Sequence, residues 1–331
     1  MKYTTYCLLV VALFYQNVLT ALPLLEVEYC ITEKAEKLKI KNYKSTCPDY
    51  EELCTGRIEF ENFEVYEGEI SYGAPHGKGK YWWPNGSFYE GEFIDGYREG
   101  WGRQTLEDGS SYEGNWYEGQ MEGQGEYTFT CGHTFSGTFS QDAMHGTGTL
   151  QKVNGEIYSG GWKDGLAHGE GTYIFTDESR FVGTYSKGKR DGEGTISWKS
   201  GEVFRATWEK DKMDGLATVT FPNGDSYISE FKDGMPTGES SYVFEEGREI
   251  DGDPEFIELM LMKESTDVAS ALEPNLGFAS YAMAIEYKKI KAYDLAEDNF
   301  KQAQAFLPNK SEVAGSIPHQ MASLKEDRQV N

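Results

Sequence analysis

The chain has 331 residues and a formal net charge of -24, because 55 Asp and Glu side chains outweigh 31 Lys and Arg side chains. Nucleic acid attracts basic surfaces and repels a field of this sign, so nucleic-acid binding is excluded as a function. A count of 38 glycines with 14% aromatic residues is typical of repeated hairpins.

Residues 1–21 have the features of a secretory signal peptide. An apolar run from Tyr6 to Tyr15 follows the single Lys2, and small residues end the segment at Thr20 and Ala21. The run is shorter than the roughly 20 residues that cross a bilayer. The sequence therefore predicts cleavage and a secreted or secretory-pathway lumenal protein. The alternative left open is a chain anchored to the membrane by an uncleaved N-terminal segment.

Residues 22–65 are predicted to form a cysteine-containing N-terminal cap that ends in a half-repeat. Removal of the signal peptide takes Cys7 with it, and the remaining cysteines are disulfide candidates in an oxidising compartment. These candidates are Cys30, Cys47, Cys54 and Cys131. Their pairing stays open, because Cys131 lies in a repeat turn and is a candidate for a free or intermolecular thiol. Gly56, Ile58 and Phe60 predict one strand ahead of the first full repeat.

An aromatic residue returns every 23 positions, which establishes an internal repeat. The eight repeat-core aromatics are Tyr66, Tyr89, Tyr112, Phe135, Tyr158, Phe181, Phe204 and Tyr227. A glycine follows each of them after eleven residues, at Gly77, Gly100, Gly123, Gly146, Gly169, Gly192, Gly215 and Gly238. Two columns therefore keep one register through eight units.

Each unit is predicted to be a β-hairpin. Tyr89, Gly91 and Phe93 alternate with Glu90 and Glu92, which places the aromatic side chains on one strand face and the acids on the other. A second strand carries its own alternating apolar pair, such as Tyr81 with Trp83 or Tyr127 with Phe129. The glycines are expected to let rings of neighbouring hairpins lie flat against the backbone.

Turn-forming pairs separate the units. Asn85-Gly86, Asp108-Gly109, Asn154-Gly155 and Asn223-Gly224 are predicted to form type I′ turns, with positive φ at both central residues.

The fold class that follows is mainly β, an elongated single-layer antiparallel sheet of stacked hairpins over residues 66–247. Eight hairpins give about sixteen strands and a length of roughly 80 Å. Such a sheet has no deep cleft, so function is expected on its surfaces.

The pattern Tyr89-Glu-Gly-Glu-Phe-Ile-Asp-Gly-Tyr-Arg-Glu-Gly-Trp-Gly-Arg103 resembles the MORN repeat (membrane occupation and recognition nexus). The resemblance implies a non-enzymatic scaffold, which touches phospholipid headgroups in some relatives and only proteins in others. Later units depart from the pattern at Ala206, Ala217, Ser229 and Ser240, where glycine is usual, and repeat 4 has Asp142. These departures predict less regular hairpins toward the C-terminal end.

Residues 248–310 are predicted to be helical. Pro254 fits the first turn of a helix, and the predicted helices include Phe256, Phe278 to Ile290, and Asp294 to Leu307. The last two resemble a single tetratricopeptide repeat through Ala282, Tyr287, Tyr293, Ala296, Phe300, Ala303 and Pro308. They are expected to pack with neighbouring helices or to cap the sheet, and residues 311–331 are predicted to be a C-terminal helix and tail.

The sequence contains no catalytic, cofactor-binding or metal-binding motif, so neither an enzyme nor a cofactor is predicted. Residue types that bind metal precede the repeat glycines, at His76, Glu99, Glu122, His145, His168, Asp191 and Asp214. Equivalent residues of successive hairpins are roughly 10 Å apart, too far for a shared zinc ion. We expect them to solvate the turns.

Two other sets of residues bear on partners. The repeats contain one local cationic cluster, formed by Lys187, Lys189 and Arg190. The aromatic residues considered for contact with a bilayer interface are Trp82, Trp83, Tyr97, Trp101 and Tyr117. Asn85 and Asn309 begin glycosylation sequons.

Three functional hypotheses result. The first is a secreted or lumenal scaffold whose acidic repeats bind protein partners of unknown identity. The second is a membrane-apposed tether that contacts phospholipid through the repeats. The third is an acidic extracellular matrix protein that associates with calcium. Pairing of two sheets into a homodimer is left open.

Overall fold

A computed structural model describes residues 43–45, 52–252, 278–285, 287–288, 291–307 and 311–330. The predicted signal peptide, Cys30, Cys47, the helix around Phe256, and Asn309 lie outside these residues. The described chain forms a single open antiparallel sheet of 20 strands in hairpin order, followed by three helices. The predicted fold class is thereby confirmed.

The strands are β1 Tyr43–Ser45, β2 Cys54–Phe60, β3 Val65–Ser71, β4 Ala74–Trp82, β5 Phe88–Ile94, β6 Tyr97–Thr105, β7 Ser111–Tyr117, β8 Gln120–Thr128, β9 Thr134–Ser140, β10 Ala143–Gln151, β11 Ile157–Lys163, β12 Leu166–Ile174, β13 Arg180–Ser186, β14 Lys189–Ser197, β15 Val203–Glu209, β16 Lys212–Met213, β17 Gly215–Thr220, β18 Ser226–Lys232, β19 Met235–Val243 and β20 Glu249–Gly252. The helices are α1, residues 278–285 with 287–288 also helical, α2 Tyr293–Phe306 and α3 Glu312–Val330.

The sheet extends beyond the repeats at both ends. Strand β2 pairs with β3, which confirms the strand predicted from Gly56, Ile58 and Phe60. Strand β1 pairs with β2 inside the predicted cap, and β20 pairs with β19 at the start of the segment predicted to be helical. Ile250 of β20 is buried opposite Tyr242, so the same apolar alternation continues past repeat 8.

The described chain divides into two compact units. The N-terminal unit reaches Tyr173 and includes Tyr185–Gly188, and the C-terminal unit contains Ile174–Thr184 and the chain from Lys189 onward.

The hairpin of β5 and β6 shows how one repeat is built. Tyr89 and Phe93 are fully buried, whereas Glu90 and Glu92 of the same strand are exposed. The two buried rings meet edge to face with centroids 5.1 Å apart, an arrangement that aromatic quadrupoles favour. The predicted alternation of faces is confirmed.

Facing glycines make room for the repeat-core aromatics. Gly91 and Gly102 are cross-strand partners, and a Cβ at either position would overlap the ring of Tyr89. The Tyr89 hydroxyl reaches past them and donates to the Glu92 carbonyl at 3.1 Å. The ring therefore belongs to the same hairpin as the glycines, which corrects the expectation that it comes from a neighbouring hairpin.

The type I′ turns lie within the repeats and not between them. Asp95 and Gly96, between β5 and β6, both have positive φ, at 49° and 83°, as that turn requires. Seven other mid-repeat pairs share this feature, at Tyr72-Gly73, Glu118-Gly119, Gln141-Asp142, Asp164-Gly165, Lys187-Gly188, Lys210-Asp211 and Asp233-Gly234.

The predicted type I′ turns at the Asn-Gly and Asp-Gly pairs are wrong, although the chain does reverse there. At Asn85-Gly86 only the glycine has positive φ, 94°. Gly86 donates its N–H to the Trp83 carbonyl, and Trp83 donates to Ser87, which closes a three-residue loop. The Asn85 side chain instead accepts the Ser87 N–H at 2.9 Å, and this local bond explains the preference for Asn and Asp.

The C-terminal departures do perturb the hairpins, as predicted. In repeat 7, where Ala206 and Ala217 replace the facing glycines, the second strand is divided into β16 and β17, and the Phe204 and Trp208 centroids are 6.2 Å apart. In repeat 8, Ser229 and Ser240 face each other, and their hydroxyls are joined by a 3.1 Å hydrogen bond.

Helix α1 is buried on all sides in the C-terminal unit. Phe278 meets Trp198, the residue that follows β14, edge to face at 4.9 Å, and Tyr281 meets Phe300 of α2 at 6.0 Å. Ser316 of α3 donates to the Tyr281 hydroxyl at 3.1 Å. The predicted helices that fall within the described residues are present, and α1 lies between the sheet and the other two.

Candidate functional site

A row of alternating charges crosses the outer face of the N-terminal unit, on the side opposite the aromatic core. It is formed by side chains that are direct cross-strand partners on six successive strands, β2 to β7. In strand order they are Arg57, Glu67, Lys80, Glu90, Arg103 and Glu113, and we call them the charge ladder. The charges alternate in sign at every step.

Ion pairs join neighbours within the ladder. The Arg57 guanidinium pairs with the Glu67 carboxylate, and Lys80 Nζ lies 3.2 Å from Glu90 Oε1. All of these side chains remain about half exposed, and exposed pairs of this kind contribute only about 0–1 kcal/mol each. The ladder therefore leaves most of its charge available to a partner.

An open groove of about 820 Å³ runs along this face. The first four ladder residues, from Arg57 to Glu90, line it, and so do Lys78, Glu92 and Trp101. Lys78 and Glu92 are cross-strand partners, and the Trp101 side chain is 52% exposed. A solvent-exposed indole beside balanced charges is a feature of binding surfaces.

A second surface lies at the edge where the mid-repeat turns of repeats 1–3 project. Three large apolar side chains are exposed there, Tyr72 by 66%, Ile94 by 50% and Tyr117 by 56%. The carboxylates of Asp95 and Glu118 lie in the same turns, and the Asp95 side chain is 84% exposed. We call these five residues the turn edge, an acidic strip with apolar anchors.

Three of the residues before the repeat glycines contact the end of the following hairpin. Glu99 accepts the Glu118 N–H at 2.9 Å, Glu122 accepts the Gln141 N–H at 3.0 Å, and Asp214 pairs with Lys232 at 2.7 Å. Glu99 and Glu122 are thus hydrogen-bonded to turns and not only solvated as the sequence predicts for the whole column. Among the described residues, no group of three or more potential ligands is gathered for a metal ion.

The residues considered for lipid contact are mostly engaged in the fold. Arg190 is 3% exposed and bonds Asp211, so it is not part of a surface cluster. Trp82 packs on Phe88 at 5.4 Å and Trp83 on Tyr81 at 4.6 Å, whereas Trp101 and Tyr117 are exposed.

A buried polar cluster lies in the core of the N-terminal unit. Lys152 Nζ lies 3.0 Å from Glu156 Oε2, and the Tyr173 hydroxyl is 2.7 Å from the amine and 2.6 Å from the carboxylate. Burial, together with Glu156, raises the pKa of Tyr173, so the phenol stays protonated and donates to Glu156. Burial and the nearby Lys152 charge lower the pKa of His133.

The Tyr173 arrangement recurs in other repeats. A tyrosine of the second strand donates to a side chain 17 residues earlier, in the pairs Tyr81–Glu64, Tyr127–Ser110, Tyr173–Glu156 and Tyr242–Asp225. Sequence reasoning missed this pairing, although the fixed 17-residue offset is visible once the repeats are aligned.

The modification candidates have separate positions. Asn85 is exposed in its loop, and Cys131 is an exposed free thiol. The disulfides predicted for Cys54 and the other candidates stay predictions, because Cys30 and Cys47 lie outside the described residues.

The geometry of the hairpins agrees with a family match. A model of the MORN repeat matches seven consecutive segments, residues 66–88, 89–111, 112–134, 135–157, 158–180, 181–203 and 204–226. Residues 66–226 are seven MORN repeats. The eighth hairpin, β18 with β19, has the same turn geometry but lies outside the matched residues. The tetratricopeptide resemblance of the helices is not confirmed by the family comparison.

No curated protein matches this chain. Among solved structures, the G-box domain of the microcephaly protein CPAP aligns at 16% identity over 53% of this chain and 97% of that chain, with a TM-score of 0.34. A mutant of the TCP10 domain of CPAP from Danio rerio aligns at 14% identity over 64% and 99%, with a TM-score of 0.35.

MORN repeats suggest a repeat-based interaction or scaffold protein, and the family is generally non-enzymatic. They are often involved in protein or membrane-lipid interaction. Within the described helices, none combines the length and the apolar character needed to cross a membrane.

Proposed function

We propose that this protein is a non-enzymatic scaffold that binds a basic protein segment along the turn edge and acts in the secretory pathway or outside the cell. The turn edge carries the proposal. Tyr72, Ile94 and Tyr117 expose large apolar surfaces at a protein edge that also bears Asp95 and Glu118. Aromatic anchors supply most of the affinity of protein interfaces, and acidic neighbours select a basic partner.

The arrangement suits a protein partner better than an anionic bilayer. The net charge of -24 repels anionic headgroups, and two of the acidic side chains, Asp95 and Glu118, lie in the turn edge itself. A basic amphipathic segment satisfies both the charge and the apolar anchors of the strip.

The proposed compartment rests on the leader pattern of residues 1–21 and on the even number of cysteines that remain after its removal, since disulfides persist mainly in oxidising compartments. Mature protein that begins near Leu22, recovered from the medium of secreting cells and identified by intact mass, is the expected result. Full-length protein confined to the membrane fraction would favour the anchored alternative.

The binding proposal is tested with an edge variant that combines Ile94→Ser and Tyr117→Ser. The edge variant and the native protein are each immobilised, and the amounts of protein that they capture from secretory-pathway extracts are compared. The matched control is Val153→Ser, because Val153 is 66% exposed but lies in a loop at the opposite edge of the same unit. We expect partners bound by the native protein to be lost by the edge variant and retained by the control.

Charge is tested separately with Asp95→Asn and Glu118→Gln, which keep side-chain size at the turns. The amount of partner captured by this double variant should fall, and the captured amount should depend much less on salt concentration than it does for the native protein. Equal capture by the native, edge and charge variants would refute the turn edge as the binding site.

A further inference from the structure

We propose that two copies of this chain pair face to face through the charge ladder, about a two-fold axis that runs along the strands between β4 and β5. The inference goes beyond the proposed function and uses a different surface, the outer face of the N-terminal unit.

The symmetry of the ladder carries the proposal. A two-fold axis parallel to the strands reverses strand order, so β2 of one copy lies opposite β7 of the other, β3 opposite β6, and β4 opposite β5. Every ladder charge then faces a charge of the other sign. The facing pairs are Arg57 with Glu113, Glu67 with Arg103, and Lys80 with Glu90.

The same operation matches the other side of the groove. Lys78 on β4 and Glu92 on β5 then face each other across the axis. Trp101 on β6, 52% exposed in the single chain, is covered by the second copy. A contact of this kind is isologous, with each pair occurring twice.

The ladder also specifies the register. Strands are about 4.8 Å apart, and a slip of one strand would place like charges opposite each other along the whole row. Juxtaposed like charges are repelled, so a slip of one strand is disfavoured. A slip of two strands gives only four of the six ladder members a facing charge of the other sign, so the in-register pairing is the most favourable.

A second copy fits this face better than a partner of uniform charge. The ladder has three positive and three negative members, so a uniformly acidic or basic surface gains from half of them and is repelled by the rest. A partner must carry the same alternation at strand spacing, and this chain itself does. The net charge of -24 makes two copies repel each other at long range. At physiological salt this repulsion is screened beyond about 8 Å, whereas the facing ladder charges are closer than that, so association is expected under these conditions.

Three charge-swap variants test the proposal with no change in net charge. The outer swap, Arg57→Glu with Glu67→Arg, keeps the ion pair within the chain but places like charges opposite Glu113 and Arg103 of the second copy. Adding Arg103→Glu with Glu113→Arg to the outer swap restores opposite charges between copies. The central swap, Lys80→Glu with Glu90→Lys, keeps the opposite charges of positions 80 and 90 within the chain and between copies. Like the outer swap, it places like charges side by side within the ladder, at Glu67 and Arg103, and it is therefore the matched control.

Sedimentation velocity over a concentration series, on the full mature chain, gives the dimer dissociation constant. We expect the native protein, the central swap and the combined swap to dimerise with similar constants, and the outer swap to weaken the dimer at least about tenfold. Circular dichroism confirms that each variant is folded. A monomeric native protein, or equal dimerisation by the outer swap, would overturn the proposal.

Discussion

Gly79 faces Gly68 across the first hairpin, and a Cβ at Gly79 would overlap the ring of Tyr66. We expect Gly79→Ala to destabilise the fold by about 1–3 kcal/mol, because the ring cannot stay flat against the sheet. Gly315→Ala is the control, since Gly315 lies in α3 with open space around it and alanine favours a helix by roughly 0.5–1 kcal/mol. Urea unfolding measures both. A loss of stability in the control, or none at Gly79, would contradict this explanation of the facing glycines.

The buried Lys152–Glu156 pair gives a second prediction for single residues. Glu156→Gln leaves the Lys152 amine charged in a site where its side chain is 6% exposed. Removal of one partner of a buried pair costs about 3–5 kcal/mol. The exposed pair Lys199–Glu178 is the control, and Glu178→Gln should change the unfolding free energy by about 1 kcal/mol or less. Similar costs at the two sites would contradict the stated role of burial.

His133 makes stability depend on pH. Its pKa is lowered in the folded state by burial and by Lys152, so the unfolded state binds more protons as the pH falls below the usual histidine pKa of about 6.5. The stability that the neutral, buried His133 side chain contributes is fully present above about pH 6.5 and is lost as the pH falls below that value. His133→Asn should therefore flatten the fall in unfolding free energy from neutral pH to about pH 5 relative to the native protein. Parallel pH profiles would show that His133 is not responsible.

Among the elements of the structure, α1 connects the C-terminal repeats with α2 and α3. Phe278 is 2% exposed and packs on Trp198, so Phe278→Ala should cost about 3–5 kcal/mol in unfolding free energy. Hydrogen exchange should also become faster in all three helices. Leu216→Ala is the control, because Leu216 is 64% exposed on a strand of the same unit. Unchanged exchange in α2 and α3 would mean that they do not depend on α1.

The hairpins could be predicted from the 23-residue period, because it fixes which face every side chain occupies. The turn types could not, since Asn-Gly at Asn85-Gly86 suits both a two-residue and a three-residue loop. The Asn85 side chain decides between them by accepting the Ser87 N–H. The conformational cost of a positive φ at Asp95 is tolerated because the neighbouring Gly96 completes the turn. The Gly96 N–H donates to the Pro75 carbonyl of the previous repeat at 2.9 Å.

At the scale of the whole molecule, the single sheet could be predicted, but the surfaces could not. Arg57 and Lys80 are 23 residues apart in sequence, and only the register of β2, β3 and β4 shows that Glu67 lies between them. The predicted cationic cluster failed for the opposite reason. Lys189 and Arg190 are adjacent in sequence but do not share a surface, because Arg190 points into the core. The position of α1 against Trp198 left no local signal in the sequence.

The most direct test of the scaffold proposal is site-specific photo-crosslinking in secreting cells, with a photoreactive phenylalanine analogue at Ile94 and, as the control, at Val153. Both side chains are at least half exposed, but only Ile94 belongs to the turn edge. The proposal predicts a discrete protein adduct from position 94 and none of the same mass from position 153. Adducts to lipid alone, or the same protein adduct from both positions, would contradict it.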